Sequence, residues 1–242
     1  MRALAANDIL QLWETAQGQH PVDQALALLA GAQPDHSRDE LAALPLGVRN
    51  QRLLALRRLS FGDRLGGRAV CPQCNETVEF ELSCGSLLSL PDARHERTFE
   101  INDYALRVRP LNSFDLAATA AAADVTEARR LLMRRCVIEI RRDDTVIDVE
   151  TLPSTLNDAI AEAALAADPQ AELLLDLNCP ACAHHWQSLL DIVHILWGEV
   201  AARARRLLLE VHLLARAYGW READILALNP MRRAVYLQSV TS

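Results

Sequence analysis

Two CPxC pairs carry the chemistry of this chain: CPQC, with Cys71 and Cys74, and CPAC, with Cys179 and Cys182. A CxxC segment makes a tight turn that presents two thiolates from one side. Two such turns facing each other complete a tetrahedral S4 shell suited to zinc. That shell has no open position for water or substrate, so it staples a fold and does not run a reaction. Compact ribbons place about 15–20 residues between their pairs, whereas 104 intervene here. Loop-closure entropy rises only with the logarithm of length, so the longer loop costs roughly 1.7 kcal/mol more. Structural zinc contributes on the order of 10–16 kcal/mol. The expected centre is therefore a structural Zn2+ held by Cys71, Cys74, Cys179 and Cys182, in a zinc ribbon split by a long insertion.

Three other chemistries compete for the same residues. A dithiol oxidoreductase uses CPxC at the start of a helix that follows a strand, but CPQC runs into the strand-like NETVEFEL and CPAC into AHHW. His184 and His185 are rival ligands, and a vacated fourth position would turn the centre towards hydrolysis. His194 and His212 fall inside a helical stretch and read as packing or interface residues, while Cys84 and Cys136 read as buried thiols without partners. GxSxG, HExxH and dinucleotide fingerprints are missing, as is the H-x-E…P-C-x-x-C deaminase pattern. All 25 basic residues are arginine, which excludes a lysine Schiff base and a Walker-type lysine.

These residues need elements to position them. Residues 1–66 read as mostly helical: ANDILQLWETA, PVDQALALLAGA with Pro21 in a first turn, and LPLGVRNQRLLALRRLSFGDRL. In the last of these Leu53, Leu56 and Leu59 recur every three residues as one face, with a solvated arginine side. TVEFELS alternates as a half-buried strand, and RTFEINDYALRVRP reads as a hairpin turning at Asn102-Asp103. From Ser113 to about Ala167 the pattern is mainly helical, VTEARRLLMRRCVIEI included, with Ser113 and Ser154 as N-caps. The acidic pair Asp143-Asp144 reads as a solvated turn. ELLLDLNC puts Leu173, Leu175, Leu177 and Cys179 on one strand face. LLDIVHILWGEVAARARRLLLEVHLLARAYG then makes one long amphipathic helix ending at Gly219, and two short helices follow, the second opening at Asn229-Pro230. The fold class is α+β and mainly helical. It divides into an N-terminal helical region (1–66), a split zinc ribbon (67–90 plus 171–188), an inserted hairpin-plus-helices subdomain (91–170) and a C-terminal helical region (189–242).

The chain has 242 residues, half of them apolar, and a formal net charge of −7, an ordinary globular balance that disfavours nucleic acid as a partner. The N-terminus has no apolar signal core and no apolar run reaches ~18 residues, so the expected setting is a reducing cytoplasm without a membrane. There, CxxC pairs read as metal ligands more than disulfides.

Taken in order, several segments resemble the T-even phage baseplate hub assembly protein family, whose relatives also occur in gene clusters for phage-tail-like contractile injection systems. They are LWETAQGQHPVDQALALLAGA, LPLGVRNQRLLALRRLSFGDRL followed by CPQC, VRPLNSFDLAA, and the span from CPACAHHW to MRRAVYLQSV. The resemblance implies a cytoplasmic baseplate component or assembly chaperone that binds other baseplate, hub or tail proteins, with no small-molecule substrate and no enzymatic activity. Three departures from the pattern involve four positions. Asn75 and Ala183 stand where a glycine follows each second cysteine, at a left-handed position that costs Ala roughly 1–2 kcal/mol. Arg221 replaces a small capping residue, and Asn50 an aspartate. The final helix, with Arg232, Arg233 and Tyr236, is the expected contact surface, and Trp13, Trp186, Trp197 and Trp220 are core or anchor residues. The alternative reading is a zinc-ribbon regulator binding nucleic acid through Arg203, Arg205 and Arg206.

Overall fold

A computed structural model describes residues 1–89, 96–143, 145–151 and 153–241. Four helices come first: α1 (Ala6–Ala16), α2 (Pro21–Ala32), α3 (Arg38–Ala42) and α4 (Leu46–Phe61). Pro21 occupies the first turn of α2 as its fixed φ favours, and Ser37 with Glu40 forms a capping box on α3. On α4 the three-residue spacing misleads. A helix advances 100° per residue, so Leu59 has drifted about 120° from Leu53 and is 52% exposed, while Leu53 and Leu56 are fully buried. The i±4 neighbours of Leu53 are Arg49 and Arg57, and both lie inside the body instead of on a solvated face.

The chain leaves α4 at Gly62, whose φ of 95° few other residues adopt. Helical reading stops there, because β1 (Arg64–Val70) pairs antiparallel with β2 (Thr77–Ser83). The Phe80 ring covers Gly67, where a Cβ would strike it. A short helix, α5 (Cys84–Leu88), follows.

The insertion is built on a four-stranded antiparallel sheet in the order β3-β4-β5-β6. Its elements are β3 (Arg97–Ile101), β4 (Tyr104–Val108), α6 (Ser113–Ala118), α7 (Val125–Cys136), β5 (Val137–Arg142), β6 (Thr145–Val146) and α8 (Asn157–Ala167). The expected hairpin forms, with Asn102 left-handed in its turn. The helical expectation for VIEI is wrong: α7 ends at Cys136, and the β-branched Val137, Ile138 and Ile140 supply the strand that β4 needs, Leu106 facing Ile140. Asn112, not Ser113, caps α6, pairing with Asp115 in a capping box. The Ser154 side chain and Asp144 lie outside the described residues. Leu106, Val108, Met133, Cys136, Ile140 and Ile160 form the insertion's own apolar core. Buried Asp115 is held below the usual carboxylate range: burial pushes it up, but Arg109, the Asn112 N–H and Arg135 outweigh that.

The chain returns through β7 (Leu174–Asn178), β8 (His185–Leu189), α9 (Ile192–Tyr218), α10 (Glu222–Ala227) and α11 (Pro230–Thr241). Leu173, Leu175 and Leu177 do share the inward face of β7, whereas β8 takes the residues just ahead of α9, which Asp191 caps. Gly219 closes α9 in the left-handed conformation. The main core joins α1, α2, α4 and α9, and it includes Leu65 and Cys84 at the base of one hairpin and Leu173 and Leu190 at the base of the other. A buried ion pair ties α4 to α9, with Arg57 Nη2 2.7 Å from Glu199 Oε1, while Arg57 Nη1 also donates to the Gly62 carbonyl. Another ties α11 to α9: Arg233 is 2% exposed and donates from Nε to Glu210 at 2.7 Å. Arg233 is thus an internal residue, not part of a contact surface. Among the described residues no helix is long and apolar enough to cross a membrane.

Insertion and body meet at the start of α4. Pro45 bridges to Asn112, and the Leu46 N–H donates to the Leu111 carbonyl. Pro45, the N-cap, makes no side-chain cap hydrogen bond; the Gly47 N–H donates instead to Asp168, 121 residues beyond Gly47, at 2.7 Å. Burial raises the Asp168 carboxyl, the Gly47 N–H partly offsetting it. Asn50 Nδ2 donates to the carbonyls of Gln170 and Ala171. Gly47 has no room for a side chain, since a Cβ would fall on Asp168 Oδ1 and lie 2.8 Å from its Cγ. In an exposed helix Gly→Ala gains about 1 kcal/mol. Here Gly47→Ala is expected to destabilise by about 1–3 kcal/mol, as overpacking does, and urea unfolding measures it.

Candidate metal centre

Each cysteine pair sits at the tip of a two-stranded hairpin rooted in the main core. The strand β1 delivers Cys71 and β7 delivers Cys179, and the two tips repeat one backbone pattern. The Cys71 N–H donates to the Glu76 carbonyl, and the Asn75 N–H to the Cys71 carbonyl, both at 2.9 Å. The Cys179 N–H donates to His184, and the Ala183 N–H to Cys179, again at 2.9 Å. Closing this turn needs a left-handed residue after the second cysteine: Asn75 has φ 59° and Ala183 φ 58°. The positions where glycine would be expected are those where the backbone turns left.

The two tips bring the four sulfurs together. Cys71 Sγ lies 3.7 Å from Cys182 Sγ, and Cys74 Sγ 3.5 Å from Cys179 Sγ. All four ligand atoms lie within 4.8 Å of one another. A tetrahedral ion with metal–sulfur bonds of about 2.3 Å sets its sulfurs about 3.8 Å apart, whereas a disulfide needs about 2.0 Å. All six cysteines are free thiols. Cys71 and Cys179 are buried and Cys74 is exposed, so the cluster is anchored inside and open to exchange on one side.

Electrostatics favour a cation here. Burial raises the Cys71 thiol, but the N–H groups of Cys74 and Gln73 and the thiols beside it bring it down to about 7. The Glu76 N–H lowers Cys74, yet Cys182, burial, Cys179 and Cys71 together push it up to about 12. One thiolate forms readily, and Cys74 and Cys182 resist following it. A bound dication removes that conflict, so four cysteines so placed fit a thiophilic metal ion.

The rival groups are elsewhere. His184 stacks on Trp186, with ring centroids 6.1 Å apart, and His185 is exposed. Neither supplies an atom to the cluster, which among the described residues contains cysteine alone. His194 and His212 are exposed on α9. Cys84 is buried beside Arg57, and Cys136 lies in the insertion core, where burial pushes its thiol up to about 11. Both pairs are followed by strand, not helix, which removes the dithiol-oxidoreductase geometry. The sequence reading missed the buried cations Arg49 and Arg57; their i±4 spacing from Leu53 was the available signal.

Two hairpin tips converging on a four-thiol cluster, mounted on a helical body, define a mainly helical α+β protein. A family model described as T4 bacteriophage base plate protein matches residues 17–197, about three quarters of the chain, and the chain belongs to that family. The match runs from the approach to α2 through both cysteine pairs into the first turns of α9. No curated protein and no solved structure matches the chain.

Replacing Ala183 by glycine removes the left-handed strain at the second tip. We expect Ala183→Gly to stabilise the protein by about 1 kcal/mol and Asn75→Gly to change it by much less, both read by urea unfolding.

Proposed function

We propose that this chain is a non-enzymatic component or chaperone-like assembly factor of a contractile baseplate, in a phage tail or a phage-tail-like injection system. It acts through contacts with other baseplate, hub or tail proteins. The family match over residues 17–197 carries this reading. In it, Cys71, Cys74, Cys179 and Cys182 hold a structural Zn2+, and the two hairpins form a ribbon split by the insertion. The all-thiolate donor set supports a structural ion, because a saturated S4 shell leaves no site for substrate. The four regions divide as 1–66, 67–90 plus 171–188, 91–170 and 189–242, with zinc joining the two halves of the second. A protein of net charge −7 suits protein partners better than nucleic acid. Of the arginines that would serve a nucleic-acid binder, Arg203 is already engaged by Glu210 at 3.3 Å. The chain would work in the cytoplasm, where baseplates assemble, before or while entering the particle.

Metal analysis is expected to give one zinc per chain, and the cobalt-substituted protein a spectrum of four thiolate ligands. Because protons compete for thiolates, zinc affinity falls as the pH is lowered; a metal-free protein with unchanged stability would remove the zinc. The partner reading is tested separately, by pull-down from cells expressing the surrounding gene cluster. Recovery of tube, spike or baseplate proteins is expected, and recovery of nucleic acid alone would overturn it.

A further inference from the structure

Three arginines are buried among the described residues: Arg49, Arg57 and Arg233. Two of them have a carboxylate at 2.7 Å, Glu199 for Arg57 and Glu210 for Arg233. Arg49 is different. It is 6% exposed, and its acceptors are neutral: Nε and Nη2 donate to Asn50 Oδ1 at 3.2 and 3.0 Å, and Nη1 donates to Ser113 Oγ at 3.3 Å. Asp191 and Asp168 act on it only through longer-range attraction. Asp168 accepts the Gly47 N–H through Oδ2, leaving Oδ1 buried without a hydrogen-bond partner, and Asp191 accepts the His194 N–H at the edge of the same cleft; neither bonds the guanidinium. A buried cation without an anion in contact is costly, and the two other buried arginines show how this chain otherwise meets that cost.

Arg49 lines a cleft of about 280 Å³ where the insertion meets the body. Two helices begin on this cleft: the first turns of α2, at Pro21 and Val22, and of α9, at Ile192 and Val193, form its rim together with Asp191, the cap of α9. The helices are 12 and 27 residues long; Asp191 already meets the N-terminus of α9, and the N-terminus of α2 favours negative charge. Leu116 and Leu190 give the cleft apolar wall, which strengthens any ion pair formed inside. Its size suits one small polar group, below the ~300–1,000 Å³ typical of drug-sized ligands.

We propose that this cleft binds an oxyanion, a carboxylate or phosphate group, with Arg49 as its counter-ion. Its source is either an acidic side chain offered by a partner protein or free phosphate. The site is independent of the four-cysteine cluster and does not rest on the zinc or baseplate reading.

The test uses the full chain with sodium phosphate or sodium glutarate as probe, and sodium chloride at matched ionic strength as reference. The readouts are the Arg49 Nε–Hε NMR resonance, assigned by its disappearance in Arg49→Lys, and the Tm. We expect a saturable shift of that resonance and a Tm rise of about 2–4 °C at saturating probe. Both responses are expected to be absent in Asn50→Asp, where a carboxylate of the chain itself would occupy the guanidinium. A response to glutarate supports the side-chain source, and a response to phosphate alone supports free phosphate. No shift beyond that in chloride overturns the proposal, as does an equal Tm rise in Arg49→Met. Should Arg49→Met fail to fold, the wild-type resonance decides.

Discussion

Two hairpin tips that start 108 positions apart in the chain must meet with their sulfurs within 4.8 Å, and the rest of the architecture is arranged around that closure. Each tip is short and could not hold its place alone, since an isolated hairpin is marginal in water. Both are therefore rooted in the main core, one through Leu65 and Cys84, the other through Leu173 and Leu190. Much of the intervening chain folds round its own apolar cluster and so brings its ends together as part of a folded unit. This makes the logarithmic closure cost tolerable.

The junction between body and insertion is polar where the two cores are apolar. Backbone groups of α4 and carbonyls near residue 170 are matched by Asp168 and Asn50, and Asp115 collects Arg109 and Arg135 inside the insertion. Directional bonds of this kind fix orientation more than they add free energy, because both partners surrender water to form them. Asn50 serves this purpose with an amide: its nitrogen donates to the carbonyls of Gln170 and Ala171 while its oxygen accepts from Arg49.

Cysteine spacing made the candidate centre readable in the primary sequence, because ligand chemistry depends on residue type and local turn geometry. The left-handed positions after Cys74 and Cys182 were expected from the family resemblance, and Asn75 and Ala183 do turn left there. Helices with strong periodicity, α1, α2 and α9, could also be located, and so could the hairpin at Asn102. What escaped was decided by tertiary partners. The RLGGRAV strand hides behind two glycines, which weaken strand propensity and are explained only by Phe80 crossing them. VIEI continues a helical stretch in sequence and becomes a strand because β4 has an edge to fill. Arg57 looks like an edge charge until Glu199, 142 residues away, is placed beside it, and Arg233 looks like a contact residue until Glu210, 23 residues away on α9, takes it inward.

The helix α9 begins two residues beyond the second hairpin and runs 27 residues, about 40 Å at 1.5 Å per residue. It packs along most of that length, burying Ile192, Leu196, Val200, Ala204, Leu207 and Leu214, so one rod spans the body from the base of the second hairpin to α10 and α11. A shift at either end of α9 is therefore passed on through a packed spine instead of a chain of separate loops.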